Sequence, residues 1–436
     1  MTTLYTTKAS LVDPGTAKSE ALARRFSVLL STLLFLLLVF TTVTVWVGDT
    51  WALQFFQIGV YALVVIQMLR GIRGGREHIA DGFRPLLVYL IPVWGIIQLV
   101  AHTTTSSFET RQEVLRWGAL SGIFYLSQST IRSQTHRQKF LIAVMCFATG
   151  MAVLCSMQLN TWHGQLLWFI ATPYSDPLYA TFQNKNNYSQ FVELVLPVAL
   201  WGAVCRGWRS WWFALAGGIL YASAIGAASR GGFALCTCEL LVIPLIGLAR
   251  SRKTVTRLAL GSTVGMMLVV PVVGAAFTFA VGWKPIWERL QERDPYDVRR
   301  EFLLASVDMV KHRPLTGHGL GTFEQVYQKY AVKDFPFYAN HAHNDWAEFA
   351  ADGGIPFLLL VAIPFVSMIP SAFKHPWALG LVATLLHAWV DYPFPRPAVS
   401  GWMFAMLGML YMTEEFEKRE RIIRTREEPV LAILPK

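Results

Sequence analysis

The chain has 436 residues and a net charge of +10, with 54% hydrophobic and only 15% charged residues; its mean hydropathy is +0.40. That balance excludes an ordinary soluble domain. The basic excess follows membrane topology, so nucleic-acid binding is not expected.

Met1–Glu20 is polar and the first apolar run is long enough to span, so no cleavable signal is expected. A helix needs about 20 apolar residues to cross a bilayer. Windows of that kind recur at 26–47, 51–69, 85–102, 114–130, 139–158, 188–205, 211–229, 232–249, 258–281, 354–373, 377–392 and 398–412. They predict an all-α polytopic integral membrane protein with about twelve transmembrane helices. With the N-terminus inside, Arg24, Arg70, Arg132, Lys139, Arg250 and Arg419 all fall on the cytoplasmic side. The short outside loops and helix ends hold only Arg111, Arg116, Lys185, Arg230 and Arg396. This asymmetry places both termini in the cytoplasm. The expected organisation is a tail over 1–25, spans over 26–281, an external loop over 282–351, spans over 352–412 and a cytoplasmic tail over 413–436.

The five cysteines lie within or at the ends of predicted spans and read as buried thiols. Cys236-x-Cys238 lacks a second ligand pair, so zinc is not expected there.

Two outside positions in the first half carry polar chemistry. "TFQNKNNY" (181–188) sets Lys185 among amides just before a span. "AASRGGF" (227–233) sets Arg230 at a span boundary. An ionisable group there is a functional candidate, with snorkelling as the alternative. Gly231 and Gly232 are expected to let a ligand approach the backbone.

The external loop is about 70 residues long, and long loops translocate whatever their charge. It carries the Arg299-Arg300 pair and several further cations, which suits a negatively charged ligand. "DVRREFLLASVDMVKH" (297–312) has helical spacing after Asp297 as a cap. "RPLTGHGLG" (313–321) is a turn region; with no strand before it, Gly317–Gly321 is not a dinucleotide motif. Thr322-x-x-Gln325 predicts a capping box opening a further helix. Together these predict a small helical cap on the outer membrane surface.

"NHAHNDWAEFAADGGIPF" (340–357) follows. Asp345-x-x-Glu348 predicts a helix start, Gly353-Gly354 its end, and Ile355-Pro356 the next span. His341 and His343 then precede a helix N-terminus, which favours an anion. Imidazole is also suited to moving a proton near neutral pH. Surface loop histidines and a zinc site with His318 are the other readings of these residues.

These residues resemble the O-antigen ligase and polymerase superfamily of bacterial envelope glycosyltransferases (WaaL and Wzy types). The similar features, in order, are Asn184–Asn186, Ser-Arg-Gly-Gly (229–232), Arg299 leading into "HRPLTGHGLGTF", "HAHN" (341–344) before an acidic helix, and "HAWVDYPF" (387–394). The resemblance covers roughly residues 180–395. It implies a GT-C-like membrane enzyme of the Gram-negative inner membrane with its site facing the periplasm. It further implies glycan transfer from undecaprenyl pyrophosphate to an acceptor hydroxyl, inverting, with no metal or other cofactor. For a ligase the acceptor is a lipid A–core sugar; for a polymerase it is another lipid-linked repeat unit. By the same resemblance, Arg230 and Arg299 hold the pyrophosphate, with Arg300 and Lys185 in support, and His343 takes the acceptor proton, with His341 as second choice. Asn186, Asn344 and Asp391 are supporting residues. This sequence departs from the pattern in its additional His318 and in doubling Arg299-Arg300. Ligase is the expected branch. Polymerase, protein O-oligosaccharyltransferase and a lipid-linked glycan transporter are the alternatives, though no internal repeat of the transporter kind is evident.

Overall fold

The computed structural model describes residues 14–48, 50–72, 79–206, 211–251, 271–272, 274–276, 279, 284–291, 297–331, 333 and 339–431. Eight helices make the first half: α1 Pro14–Val43, α2 Thr50–Ile72, α3 Phe83–Val100, α4 Ser107–Thr130, α5 Gln134–Thr161, α6 Lys185–Arg206, α7 Trp211–Gly226 and α8 Arg230–Ser251. A two-stranded antiparallel ribbon, β1 Gln165–Leu166 and β2 Ile170–Ala171, sits between α5 and α6. The later helices are α9 Lys284–Leu290, α10 Asp297–His312, α11 Phe323–Val326, α12 Asp345–Val366, α13 Ile369–Lys374, α14 Leu379–His387 and α15 Pro397–Leu431.

Among the described residues seven segments are long and apolar enough to cross a membrane: α1, α2, α3, α5, α6, α8 and the α12–α13 run. The molecule is therefore consistent with a polytopic membrane protein. α7 and α14 are apolar but shorter. α4 carries Glu109, Arg111, Glu113 and Arg116 in its first half, which lowers its hydropathy below that of a span. The expected span over 258–281 falls almost wholly outside the described residues. The window expected over 377–392 ends sooner, because α14 stops at His387 and Asp391 lies in the connection to α15.

Position in the bundle follows from how far round each helix is apolar. α4 and α15 lie inside, with every residue from Trp117 to Thr130 buried apart from Gly118, and every residue from Ala398 to Thr413 buried. Trp117 packs within about 6 Å of Phe349, Phe357, Phe394 and Phe404, mostly edge to face. α2 and α3 lie outside, only 33% buried over their spanning windows, against 78% for α6. Their exposed Leu, Ile and Phe side chains are what hydrocarbon would cover.

The long loop over 282–351 forms the predicted helix as α10. Phe302 and Met309 bury against Phe323, Val326 and Tyr327, a small core of its own. The second loop helix is shorter than expected: α11 runs for 4 residues and tightens into a 3₁₀ turn at Tyr327–Lys329. The expected capping box does not form. Thr322 turns its hydroxyl back to Gly319 O (2.7 Å) instead of capping the helix.

α12 is broken where the glycines stand. Gly354 has φ 73° and ψ 175°, and a Cβ there would come within 2.5 Å of Leu315 O. Only glycine combines that dihedral with that approach. The break lets Ile355 N donate to Pro314 O (2.8 Å), tying the loop's Pro/Gly turn to the start of the membrane run. Gln98 of α3 locks the same turn, donating to Thr316 O (2.6 Å) and Asp352 O (2.9 Å).

Candidate functional site

Asp391 is the centre of the site. Its side chain is fully buried, yet three side chains from distant parts of the chain and the N–H of its own neighbour meet it. Arg299 of α10 donates to Oδ2 at 3.1 Å. Asn186 Nδ2, in the first turn of α6, donates to the same oxygen. Tyr392 N donates to Oδ1 at 2.9 Å, and His343 Nδ1 stands 3.5 Å from Oδ1. That last distance is ion-pair range rather than a good hydrogen bond. Burial alone would raise the Asp391 pKa; the neighbouring His343 and Arg299 outweigh it and hold the carboxyl below its ordinary range.

The sequence builds this meeting point from local turns. Asn184 Oδ1 accepts from Asn186 N (2.8 Å), which fixes the chain ahead of α6. Asn186 Oδ1 then accepts from Ser229 Oγ (2.8 Å), and Ser229 Oγ accepts from Gly232 N (3.2 Å) at the start of α8. Arg230 therefore begins α8 one residue from the Asn186–Asp391 chain. Lys185 is the first residue of α6, half-buried, and Arg300 is exposed on α10 beside Arg299. The two glycines after Arg230 face protein rather than open space. A Cβ on Gly231 would meet His387 Nε2 at 2.7 Å, and one on Gly232 would meet Ser189. The expectation that they admit a ligand is thereby corrected: they admit their neighbours.

His341 and His343 flank one aromatic ring. Tyr392 lies 4.5 Å from the His341 ring and 4.8 Å from that of His343. Each histidine turns Nδ1 to its own carboxylate: His341 to Glu348 Oε1 at 2.9 Å, His343 to Asp391. An ionised carboxylate there favours the Nδ1–H tautomer, which leaves Nε2 of each ring as the basic nitrogen. His343 adopts φ 52°, an uncommon backbone for a residue with a Cβ. The additional His318 packs against Tyr330 and Met309 O (3.2 Å), where burial lowers its pKa.

The helix after the histidines starts as predicted, with one shift. Asn344, not Asp345, caps α12 by accepting from Ala347 N (3.1 Å). Asp345 is buried and accepts from Phe394 N (3.0 Å), while Glu348 reaches back to Ala342 N (2.7 Å) and His341. These acidic groups occupy the helix N-terminus that was expected to face an anion.

On the His341 side lies a cavity of about 220 Å³, lined among others by Glu109, Glu113, Glu324, Glu348 and Asp352. Arg116 and Arg396 are its cations, and Arg116 is taken up by Glu113 and by Phe394 O (2.6 Å). Burial, then Glu324 and Glu113, push the Glu109 pKa up. The pair of histidines thus stands between the Asp391–Arg299 pair and a cavity in which carboxylates outnumber guanidinium groups five to two.

Residues 213–362 match the O-antigen ligase family model, Wzy_C. The match bears out the superfamily resemblance carried by the motifs. It covers about a third of the chain and takes in Arg230, Arg299, Arg300, His341, His343 and Asn344. Lys185, Asn186 and Asp391 lie outside it, and the structure brings Asn186 and Asp391 to Arg299 and His343. No curated protein matches the chain. The family supports a glycosyltransferase-like enzyme of the ligase or polymerase type, with lipid-linked glycan and membrane lipids as its general partners.

Three contributors were not singled out in the sequence. Tyr392 and His387 lie within "HAWVDYPF" but carry no spacing signal of their own. Glu193 is buried in α6 and meets His387 Nδ1 at 2.8 Å beneath the α8 N-terminus. No local pattern links residues so far apart.

Proposed function

We propose that the chain is an O-antigen ligase with a GT-C-like architecture. It would transfer O-polysaccharide from undecaprenyl pyrophosphate to a lipid A–core sugar hydroxyl at the periplasmic face of the inner membrane, within lipopolysaccharide biosynthesis. The observation that carries this reading is the shared carboxylate. Asp391 holds an arginine suited to a pyrophosphate and a histidine suited to a hydroxyl proton within one contact shell.

The chemistry follows in one displacement. The acceptor oxygen attacks the anomeric carbon as its bond to the pyrophosphate oxygen breaks, with inversion. His343 Nε2 takes the hydroxyl proton, and Asp391 offsets the resulting imidazolium. Arg230 and Arg299 receive the charge that develops on the leaving pyrophosphate, with Arg300 and Lys185 adding to the field. These guanidinium groups do the work that a divalent ion does at many phosphate sites, so no cofactor is required. His341, held by Glu348, faces the carboxylate-lined cavity, which favours a polyhydroxylated acceptor and repels a second pyrophosphate.

A deletion strain tests the reading. Lipid A–core without polymer, alongside accumulated long lipid-linked chains, is the expected phenotype. A core bearing a single repeat unit would make the protein a polymerase instead, and unchanged surface polysaccharide would sink both.

A further inference from the structure

A second charged cavity lies at the other end of the bundle. Thr42, near the end of α1, accepts from Thr181 Oγ1 through its carbonyl (2.6 Å), and Gln158 of α5 donates to Ala180 O (2.9 Å). The late ends of α1 and α5 therefore border the segment that leads to Asn184 and Asn186. Their early ends, on the far side, enclose a cavity of about 860 Å³.

Five basic side chains line it: Arg24, Arg70, Arg132, His136 and Lys139. Among the described residues that line it there is no Asp or Glu. Several of the basic groups are held in place. Arg70 donates to Ser27 Oγ (3.1 Å) and Ala23 O (3.2 Å), Arg132 Nε donates to Ser129 O (2.7 Å), and His136 Nε2 lies 2.9 Å from Ser31 Oγ. α5, 28 residues long, starts at this cavity with Ser133 as its cap, so its N-terminal dipole adds to the positive field. Below the basic rim the lining turns apolar, with Val28, Phe35, Leu36, Phe140 and Ala143. Val28 and Leu36 are 44% and 53% exposed, on the face of α1 that hydrocarbon would cover.

We propose that this cavity binds an anionic phospholipid. Its phosphate lies among Arg24, Arg70, Arg132 and Lys139 at the start of α5, and one acyl chain lies along Phe35, Leu36, Phe140 and Ala143. Like charges gathered this closely favour an anion among them. A free phosphate would satisfy the rim alone, whereas the apolar wall continues into the lipid-facing surface of α1. Basic pockets between membrane helices recognise lipid headgroups by this combination. The inference is independent of the transfer reaction at Asp391.

Full-length protein in a neutral detergent, analysed by native mass spectrometry with phosphatidylglycerol or phosphatidylcholine of matched chains, gives the test. Phosphatidylglycerol should be retained in preference, and Arg24→Gln with Lys139→Gln should weaken it about 30-fold. Inorganic phosphate at equal concentration should not displace it. In the wild type, phosphatidylglycerol with a photoactivatable acyl chain should label residues 23–36 or 132–143, a readout independent of how the double variant folds. Equal retention of both lipids, or labelling elsewhere, overturns the proposal. Displacement by inorganic phosphate would make this a small-anion site and overturn the lipid assignment.

Discussion

The two regions either side of the His341–His343 pair are built from similar residue types and differ in charge. Around Asp391 one buried carboxylate faces Arg299, His343 and Asn186, with Arg230 and Lys185 opening the neighbouring helices. Around Glu348 the balance reverses, and five carboxylates share a cavity with two guanidinium groups. On the proposed reading the first side takes the pyrophosphate and the second disfavours it. If that reading holds, the difference teaches how one site would keep donor and acceptor apart by electrostatics, with a proton acceptor at the boundary.

Breaking the shared carboxylate should have the largest effect. Asp391→Asn leaves Arg299 without its counter-charge and His343 without the group that sets its tautomer. Glycan transfer by purified enzyme should fall by at least about 10³-fold. A loss under tenfold at normal protein level would show that Asp391 is not the node. Next come Arg230→Lys and Arg299→Lys. A lysine keeps the charge but not the planar fork that matches phosphate oxygens, so transfer should fall by about 10²-fold or more. Full activity in both would leave snorkelling as the better account of Arg230.

The acidic side should respond more gently and in a different parameter. Glu324→Gln should raise KM for the acceptor by about tenfold, the size of one lost charged hydrogen bond, with the donor KM unchanged. A change in donor KM alone would contradict the division between the two sides. Chelation should have the smallest effect. Transfer should persist in EDTA because arginines carry the leaving-group charge; complete loss restored by one divalent ion would overturn that assignment. A pH series sharpens the first region further. The Asp391 carboxyl is held below its ordinary range, so its stabilising contribution is present above about pH 3.9 and is lost as pH falls through the lower folded value. The difference in thermal stability between wild type and Asp391→Asn should therefore shrink as pH falls below about 3.9.

Much of the second half was legible in the sequence because its signals are local. Apolar spacing over 297–312 gave α10, and the Gly353-Gly354 pair marked the break that Gly354 makes in α12. Lys185, Arg230, Arg299, Arg300 and the two histidines share one predicted side of the membrane, and the family resemblance adds Asn186 and Asp391; of these, Asn186, Arg299, His343 and Asp391 converge. What was not legible depends on contacts between distant segments. The acidic cavity is assembled from α4, the Pro/Gly turn, the histidine stretch and Arg396, which no window sees together. Gly231 looked like a ligand approach because the sequence does not show His387 packed on it. α4 reads as a span only over its later half because Glu109, Arg111, Glu113 and Arg116 break the apolar run, and the sequence does not show that Arg116 is neutralised by Glu113.

The central claim is that His343 removes the acceptor proton while the arginines hold the donor. The direct test is His343→Ala in purified protein, with glycan transfer and binding of the lipid-pyrophosphate donor measured side by side. Transfer should fall by about 10²–10⁴-fold, as for loss of a general base, with donor affinity retained and His341→Ala losing less. Near-wild-type turnover, or donor binding lost as completely as in Arg230→Ala, would contradict the account.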